Sequence, residues 1–406
     1  MSGPHKASLL TCVTLLLLPA FAAAQSDASS FSRWLQQGSW LLDSRYRIEQ
    51  VDQDTFPEDA LASTLRLSGG YETGRWNGFS ALIEAELVRP IGGEQFNSTT
   101  NGRGAYPVVA DPDTSEINRA YLYYRRASNH VIAGRQVLPI KQERFLGSVN
   151  FRQNQQTYDA IMLMNRSYPG WTLVYGYMDR VRRFLGDDNP VGDIDMNSHI
   201  VDIEFLTPNE DRLTIYGQFL DMETPVVTAA SHRNIGIRFQ GSGGKEALKW
   251  LYHLEYADQS SYADGANIID ADYWRAEIGP RFANQWLLQF GIEHLGGNGT
   301  YAFQTPFATG HAFQGRADVF AGRTPDNGVR DQYVRLEAPV LGARVSLSLH
   351  QFDSDAGSID YGSEIDLVIA YRFRKNFQVD AEYSAYDANA FATDKNRFSI
   401  SLRYSL

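Results

Sequence analysis

The sequence predicts a transmembrane antiparallel β-barrel of about 18 strands, all-β throughout. Three observations carry this reading. From Trp40 onward, apolar and polar residues alternate with period two in segments of about ten residues, the length a tilted barrel strand needs. The apolar face of these segments begins and ends with aromatics, while the opposite face carries charges of both signs. Short and long connections also follow one another in turn.

The last strand shows the alternation best. Phe398, Ile400, Leu402, Tyr404 and Leu406 fall on one face, and Ser399, Ser401, Arg403 and Ser405 on the other. The segment before it sets Phe377, Val379, Ala381 and Tyr383 against Gln378, Asp380, Glu382 and Ser384. The one before that sets Ile365, Leu367, Ile369, Tyr371 and Phe373 against Asp366, Arg372 and Arg374. Such segments start near residues 40, 60, 76, 115, 129, 155, 170, 196, 211, 230, 246, 270, 284, 329, 342, 362, 376 and 394. GRWNG, ASN, SYPG, TPNED, GSGGKE, AN and KN form short turns, whereas 90–114, 138–154, 182–195 and 296–328 are long connections. An even strand number closes the sheet, leaves no edge and puts both chain ends at the periplasmic rim. A soluble β-sandwich imposes no such order of loop lengths.

Before the barrel, His5 and Lys6, the apolar run Leu9 to Leu18 and the small residues Ala22-Ala23-Ala24 read as a signal peptide over 1–24. Residues 25–39 are a short polar lead-in, and 40–406 the barrel. The single cysteine, Cys12, falls in the signal segment, so the mature chain has none. Mean hydropathy is −0.35, yet aromatics reach 13%, with 22 Tyr and 22 Phe. A net charge of −11 argues against a nucleic-acid partner. Six lysines leave 31 arginines among the 37 basic residues. That bias matters because the guanidinium fork binds carboxylates with two hydrogen bonds.

With the apolar face outward, the other face lines a lumen that a barrel of this size leaves wet. It presents Arg45, Arg47, Arg66, Arg119, Arg125, Arg135, Arg212, Arg238, Arg275, Arg335, Arg344, Arg372, Arg374 and Arg403, interleaved with Asp43, Glu84, Glu86, Asp202, Glu204, Glu255, Glu277, Glu337, Asp366, Asp380 and Glu382. One reading is a set of rungs that lower the barrier for a crossing anion. The other is cross-lumen pairing of arginine and carboxylate. Arg403, Arg45, Arg47 and Arg66 come close together where the barrel closes.

No HExxH, CxxC or GxSxG occurs, so no metal, cofactor or acyl-transfer chemistry is expected. His199, His253, His294 and His350 sit on strands, and Gly291 to Asn298 holds a histidine and an asparagine without a serine. An outer-membrane hydrolase using a His–carboxylate pair therefore stands as an alternative, as does an adhesin or structural barrel with a plugged pore. The acidic loop Gly186 to Asp195 reads as turn chemistry more cheaply than as a calcium site.

Two blocks carry a family resemblance. Gly134-Arg135-Gln136, Glu143-Arg144-Phe145-Leu146-Gly147 and Phe151 through Ala160 form the first. Phe307 through Phe320, followed by Thr324-Pro325-Asp326-Asn327-Gly328, form the second. Together they resemble the alginate-export outer-membrane channels. The resemblance implies an eighteen-stranded barrel and an arginine-rich path for an anionic polysaccharide leaving the periplasm passively. The chain departs from that pattern after Asp159-Ala160, where Ile161 and Met162 stand in place of a further arginine.

The connection within 138–154 is expected to fold into the barrel and narrow it. Arg135, Lys141, Arg144 and Arg152 would then point into the path, and Phe145 and Phe151 would wedge the loop against the wall. The plainer alternative is a loop that braces the rim. Taken together, the expectation is a passive bacterial outer-membrane channel for anionic solutes, small or polysaccharide, surrounded by outer-membrane lipid and lipopolysaccharide. The barrel-assembly machinery would insert it.

Overall fold

The computed structural model describes residues 28–138, 140 and 143–406; the expected signal peptide and Lys141 lie outside them. Among these residues eighteen strands form one antiparallel sheet. They are β1 Ser39–Gln53, β2 Ala60–Glu72, β3 Phe79–Gln95, β4 Thr114–Arg126, β5 Asn129–Gln136 and β6 Thr157–Asn165. There follow β7 Trp171–Arg182, β8 Asp193–Leu206, β9 Arg212–Leu220, β10 His232–Lys245, β11 Leu248–Ser261 and β12 Asp270–Phe282. The last are β13 Leu287–Leu295, β14 Val329–Val340, β15 Ala343–Asp353, β16 Asp360–Phe373, β17 Phe377–Ala388 and β18 Lys395–Ser405. Each strand pairs with the next in sequence, and β1 pairs with β18 from Asp43 opposite Ser405 to Gln53 opposite Lys395. Closure satisfies every strand's backbone donors and acceptors within the sheet, as a lipid environment requires.

The alternation orients each strand. Phe398, Ile400 and Leu402 turn outward and are about two-fifths exposed, while Arg397 and Ser399 face inward and are buried. Outward aromatics pair along the short-turn rim: Trp40 with Tyr71, Phe79 with Tyr124, Trp171 with Phe205, and Phe377 with Tyr404, at 4.5–5.0 Å between ring centroids. This is the aromatic girdle of a barrel at a membrane interface. No helix among the described residues is long and apolar enough to cross a membrane; the strands make the crossing. The barrel belongs in a bacterial outer membrane.

The lead-in is not featureless. Its residues Ala28–Gln36 form a helix, α1, docked at the short-turn rim by Trp34 Nε1 donating to the Phe79 carbonyl (3.2 Å).

A second departure concerns the interior. Along β6 to β9 many of the inward side chains are apolar: Met162, Met178, Met196, Ile194, Ile200 and Leu220 are all buried, with the small or neutral Ser198, Thr214 and Gln218 among them. Leu138 and Leu146 from the loop after β5, and Phe307 from the loop after β13, pack onto them. One side of the lumen thus carries a hydrophobic core.

Candidate functional site

Two long loops enter the barrel. L3 is residues 137–156, of which 139, 141 and 142 are not described, and L7 is residues 296–328. L3 leaves the sheet after Gln136 and crosses the lumen. On the β13 side, Arg144 Nε pairs with Glu293 Oε1 at 2.6 Å, both side chains 2% exposed. Phe145 lies edge-on to Tyr273 (5.2 Å, 77°) and also meets Phe303 and Tyr216. On the β1–β2 side, Gln153 Nε2 donates to Thr64 Oγ1 (2.9 Å), and its Oε1 accepts from Arg45 Nε (2.9 Å). Arg45 also donates to the carbonyls of Asn150 (2.8 Å) and Arg152, and Arg47 to that of Phe151. A loop crossing a lumen must satisfy its backbone carbonyls away from strands, and these two arginines do so.

L7 lies against L3. Gly147 N donates to the Phe307 carbonyl (2.8 Å), Thr309 N to that of Glu143 (2.9 Å), and Val149 N to Thr309 Oγ1 (3.0 Å). A Cβ at Gly147 would collide with Thr309, so the two loops approach this closely only because that position is glycine. The L7 tip is then held by strand carboxylates. Ala317 N donates to Glu364 Oε1 (2.7 Å), Arg316 Nη1 meets Glu382 (3.2 Å), and Asp318 is paired with Arg397 and, at 3.1 Å, with His311. Burial pushes the Asp318 carboxyl up, but His311, Arg397 and Arg152 outweigh it and hold it well below the ordinary carboxylate value.

The loops leave two chambers. The outer, about 400 Å³, is lined by Arg144, Arg152, Arg183, Gln314 and Lys395, with Phe151, Phe184, Phe313 and Phe320 as its flat walls. The inner, about 250 Å³, is lined by Arg316, Arg335, Arg344, Glu337, His350 and Asp366. His311 lines both.

Most of the expected rungs are paired. Arg66 meets Glu86 (2.6 Å) and Asp43 (3.2 Å), and Arg403 meets Asp43 (2.6 Å). Arg119 pairs with Glu84 (2.6 Å), Arg135 with Asp159 (2.8 Å), Arg238 with Glu255 (3.2 Å) and Arg275 with Glu277 (2.6 Å). Arg152 meets Glu49 at 3.1 Å. Arg125 and Arg372 are exposed near the short-turn rim, away from both loops. Among the described residues Arg183, Arg335, Arg344 and Lys395 make no ion pair with a carboxylate, and Arg144 Nη2 and Gln314 Nε2 have no acceptor. All six lie on a chamber wall.

Phe145 packs on the strand wall. Phe151 does not: it stacks on His311 of L7 (4.1 Å, 17°), because the wall beneath it is Arg47 and Arg45 rather than apolar surface. Arg397 and Lys395 share the inward register of Arg403, so the alternation of the last strand could have disclosed them. His311 and Arg316 stand inside the second resemblance block, but nothing local marks them as the tip that meets L3. His350 has Asp331 on Nδ1 (2.9 Å) and Asp366 near Nε2 (3.5 Å), and His294 stacks on Trp274 with Asp355 at 3.7 Å. Among the described residues no cluster of three or more metal-ligating side chains occurs.

No family model matches the chain, and no curated protein matches it. Solved structures do. The outer-membrane protein OpdK of Pseudomonas aeruginosa superposes with a TM-score of 0.72 at 14% identity, over 92% of this chain and 99% of that one. OccAB2 of Acinetobacter baumannii gives 0.74 at 16%, again over 92% and 99%. OpdK with vanillate gives 0.72 at 12% over the same shares. At such identities the likeness establishes the fold: a closed eighteen-stranded outer-membrane barrel of the kind the Occ channels form. This chain is similar to those channels in fold, and the alginate-export resemblance holds only at the level of an eighteen-stranded outer-membrane β-barrel.

Proposed function

We propose that the protein is a passive channel for small carboxylated solutes, without catalysis. The observation that carries this is the pair of chambers on either side of the L7 tip, each lined by donors that have no carboxylate of their own. Arginine forks and a half-buried lysine favour an anion with two acceptor oxygens. The phenylalanine walls of the outer chamber suit a planar or apolar body attached to it, and vanillate, present with OpdK, is such an acid. The mechanism is diffusion between sites strong enough to admit the solute and weak enough to release it.

Polymer export of the alginate type, the finer reading of the resemblance, is supported by the two sequence blocks alone. Both blocks contribute to the loops that cross the lumen, where L3 and L7 leave chambers of small-solute size. A hydrolase reading wants a histidine that activates a nucleophile, and at His350 both ring nitrogens face carboxylates instead. Lipid and lipopolysaccharide remain the partners we propose for the outer wall.

Proteoliposome swelling tests the solute class. Benzoate and acetate should enter several-fold faster than neutral solutes of equal size. Equal rates for charged and neutral solutes would refute carboxylate preference, and no swelling at all would favour a closed structural barrel.

A further inference from the structure

His311 is the one lining residue that the outer and inner chambers have in common. Its ring is held on three sides. It stacks on Phe151, its Nε2 lies 2.8 Å from Glu382, and its Nδ1 lies 3.1 Å from Asp318 and 3.2 Å from Arg397. Around it runs one connected set of ion pairs. Glu49 takes Arg47, Arg152 and Arg397, Asp318 takes Arg397 and Arg152, and Glu382 takes Arg316. Four guanidinium groups thus share three carboxylates, with Lys395 as a further cation on the outer-chamber wall.

The guanidinium groups alone outnumber the carboxylates of the set by one, and any charge on His311 or Lys395 adds to that excess. Arg397 Nη2 and Gln314 Nε2 are buried donors without an acceptor among the described residues. The members differ sharply in access. Glu49 and Arg397 are 1% and 5% exposed, whereas Glu382 and Arg316 are 23% and 30% exposed. A carboxylate arriving from a chamber can therefore compete at one place, the Arg316–Glu382 pair. Buried members of such a network cannot exchange without stranding a charge.

Resting on the carboxylate-channel reading, we infer that His311 is the door between the chambers and Glu382 its latch, occupying the place that a solute carboxylate takes in passage. The incoming carboxylate binds the Arg316 fork and displaces Glu382. His311 then loses its Nε2 partner and retains a ring stack and the Nδ1 contacts. The ring leaves Phe151 and the chambers join. Gly315, at φ +78° with no room for a Cβ beside Glu364, fixes the tip's other end, so the motion is confined to the side chain and its immediate turn. When the solute moves on, Glu382 returns and the door closes. The channel so built opens for the solutes it accepts and stays nearly shut to others.

Single-channel recording of the full-length protein in planar bilayers tests this, with benzoate added to potassium chloride as the probe. The wild type should pass between a low and a high conductance level, and benzoate should raise the time spent in the high level at least about threefold, as expected of a gated constriction. Glu382→Gln should dwell in the high level without benzoate and respond to it no further. His311→Ala should show one steady level, about twofold above the wild-type low level, with the benzoate response lost. Phe151→Ala, which removes the stack but no charge, should shift dwell times the same way, and heat-modifiable gel mobility confirms that each variant is folded. Folded His311→Ala and Glu382→Gln channels with wild-type levels and an intact benzoate response would overturn the door. A wild type that prefers potassium to chloride would overturn the carboxylate reading instead, independently of either variant.

Discussion

Along β6 to β9 the lumen-facing positions include Met162, Met178, Ile200 and Leu220, whereas along β1, β17 and β18 they include Arg45, Arg47, Glu49, Glu382 and Arg397. L3 and L7 rest on the first surface by apolar packing and are tied to the second by charge-assisted hydrogen bonds. The difference divides labour inside one barrel. The methionine-rich side, with four of the chain's six methionines, accepts the irregular outline of two loops because unbranched thioethers fill uneven gaps. The charged side holds the same loops at fixed points and leaves water, chambers and spare donors between those points. A lumen polar all round would hold loops only through ion pairs, each competing with solvent. A lumen apolar all round would leave no path for an ion.

The comparison can be broken from either side. The largest effect is expected at Arg144, whose pair with Glu293 is fully buried and has no substitute cation within ion-pairing distance. Arg144→Ala strands that carboxylate and should loosen L3 by about 3–5 kcal/mol, read as protease cleavage within L3 of the intact barrel. Replacing both partners by apolar residues should recover most of the loss. Leu146→Ala, on the apolar side, should cost about 2–5 kcal/mol by the same assay through the cavity it leaves against Phe307 and the methionines. Arg152→Ala should cost less, about 1 kcal/mol, because Glu49 keeps Arg47 and Arg397. Its conductance should rise even so, since Arg152 lines the outer chamber. At the bottom of the scale, Arg89→Ala removes a pair with Asp113 that is half open to water and should change loop stability by less than about 0.5 kcal/mol.

Much of this could be read in the chain. The strand starts expected from alternation fall within three residues of those observed, the widest gaps being 76 against Phe79, 196 against Asp193 and 284 against Leu287. Alternation is legible there because one face meets lipid and the other meets charge. It is mute on β6 and β7, where Ile161, Met162 and Leu163, or Tyr177 and Met178, are apolar on both faces, so the inner hydrophobic side went unseen. The entry of L3 was legible from aromatics embedded in a polar stretch. The partner of Phe151 was not, because a ring in a loop does not disclose whether it will meet a wall or another loop. Pairing of the arginines was open in the sequence, and the register of facing strands decides it. Arg45 stands directly opposite both Arg403 and Arg66, and with no carboxylate in its hydrogen bonds it turned to L3 carbonyls.

Ion preference is the quantity on which the account depends most. The zero-current potential of the wild-type channel across a tenfold potassium chloride gradient measures it directly. Spare arginine and lysine donors on both chamber walls predict a potential of the sign set by chloride, shifting further when benzoate replaces chloride on one side. A potential of the sign set by potassium, unmoved by benzoate, would contradict it.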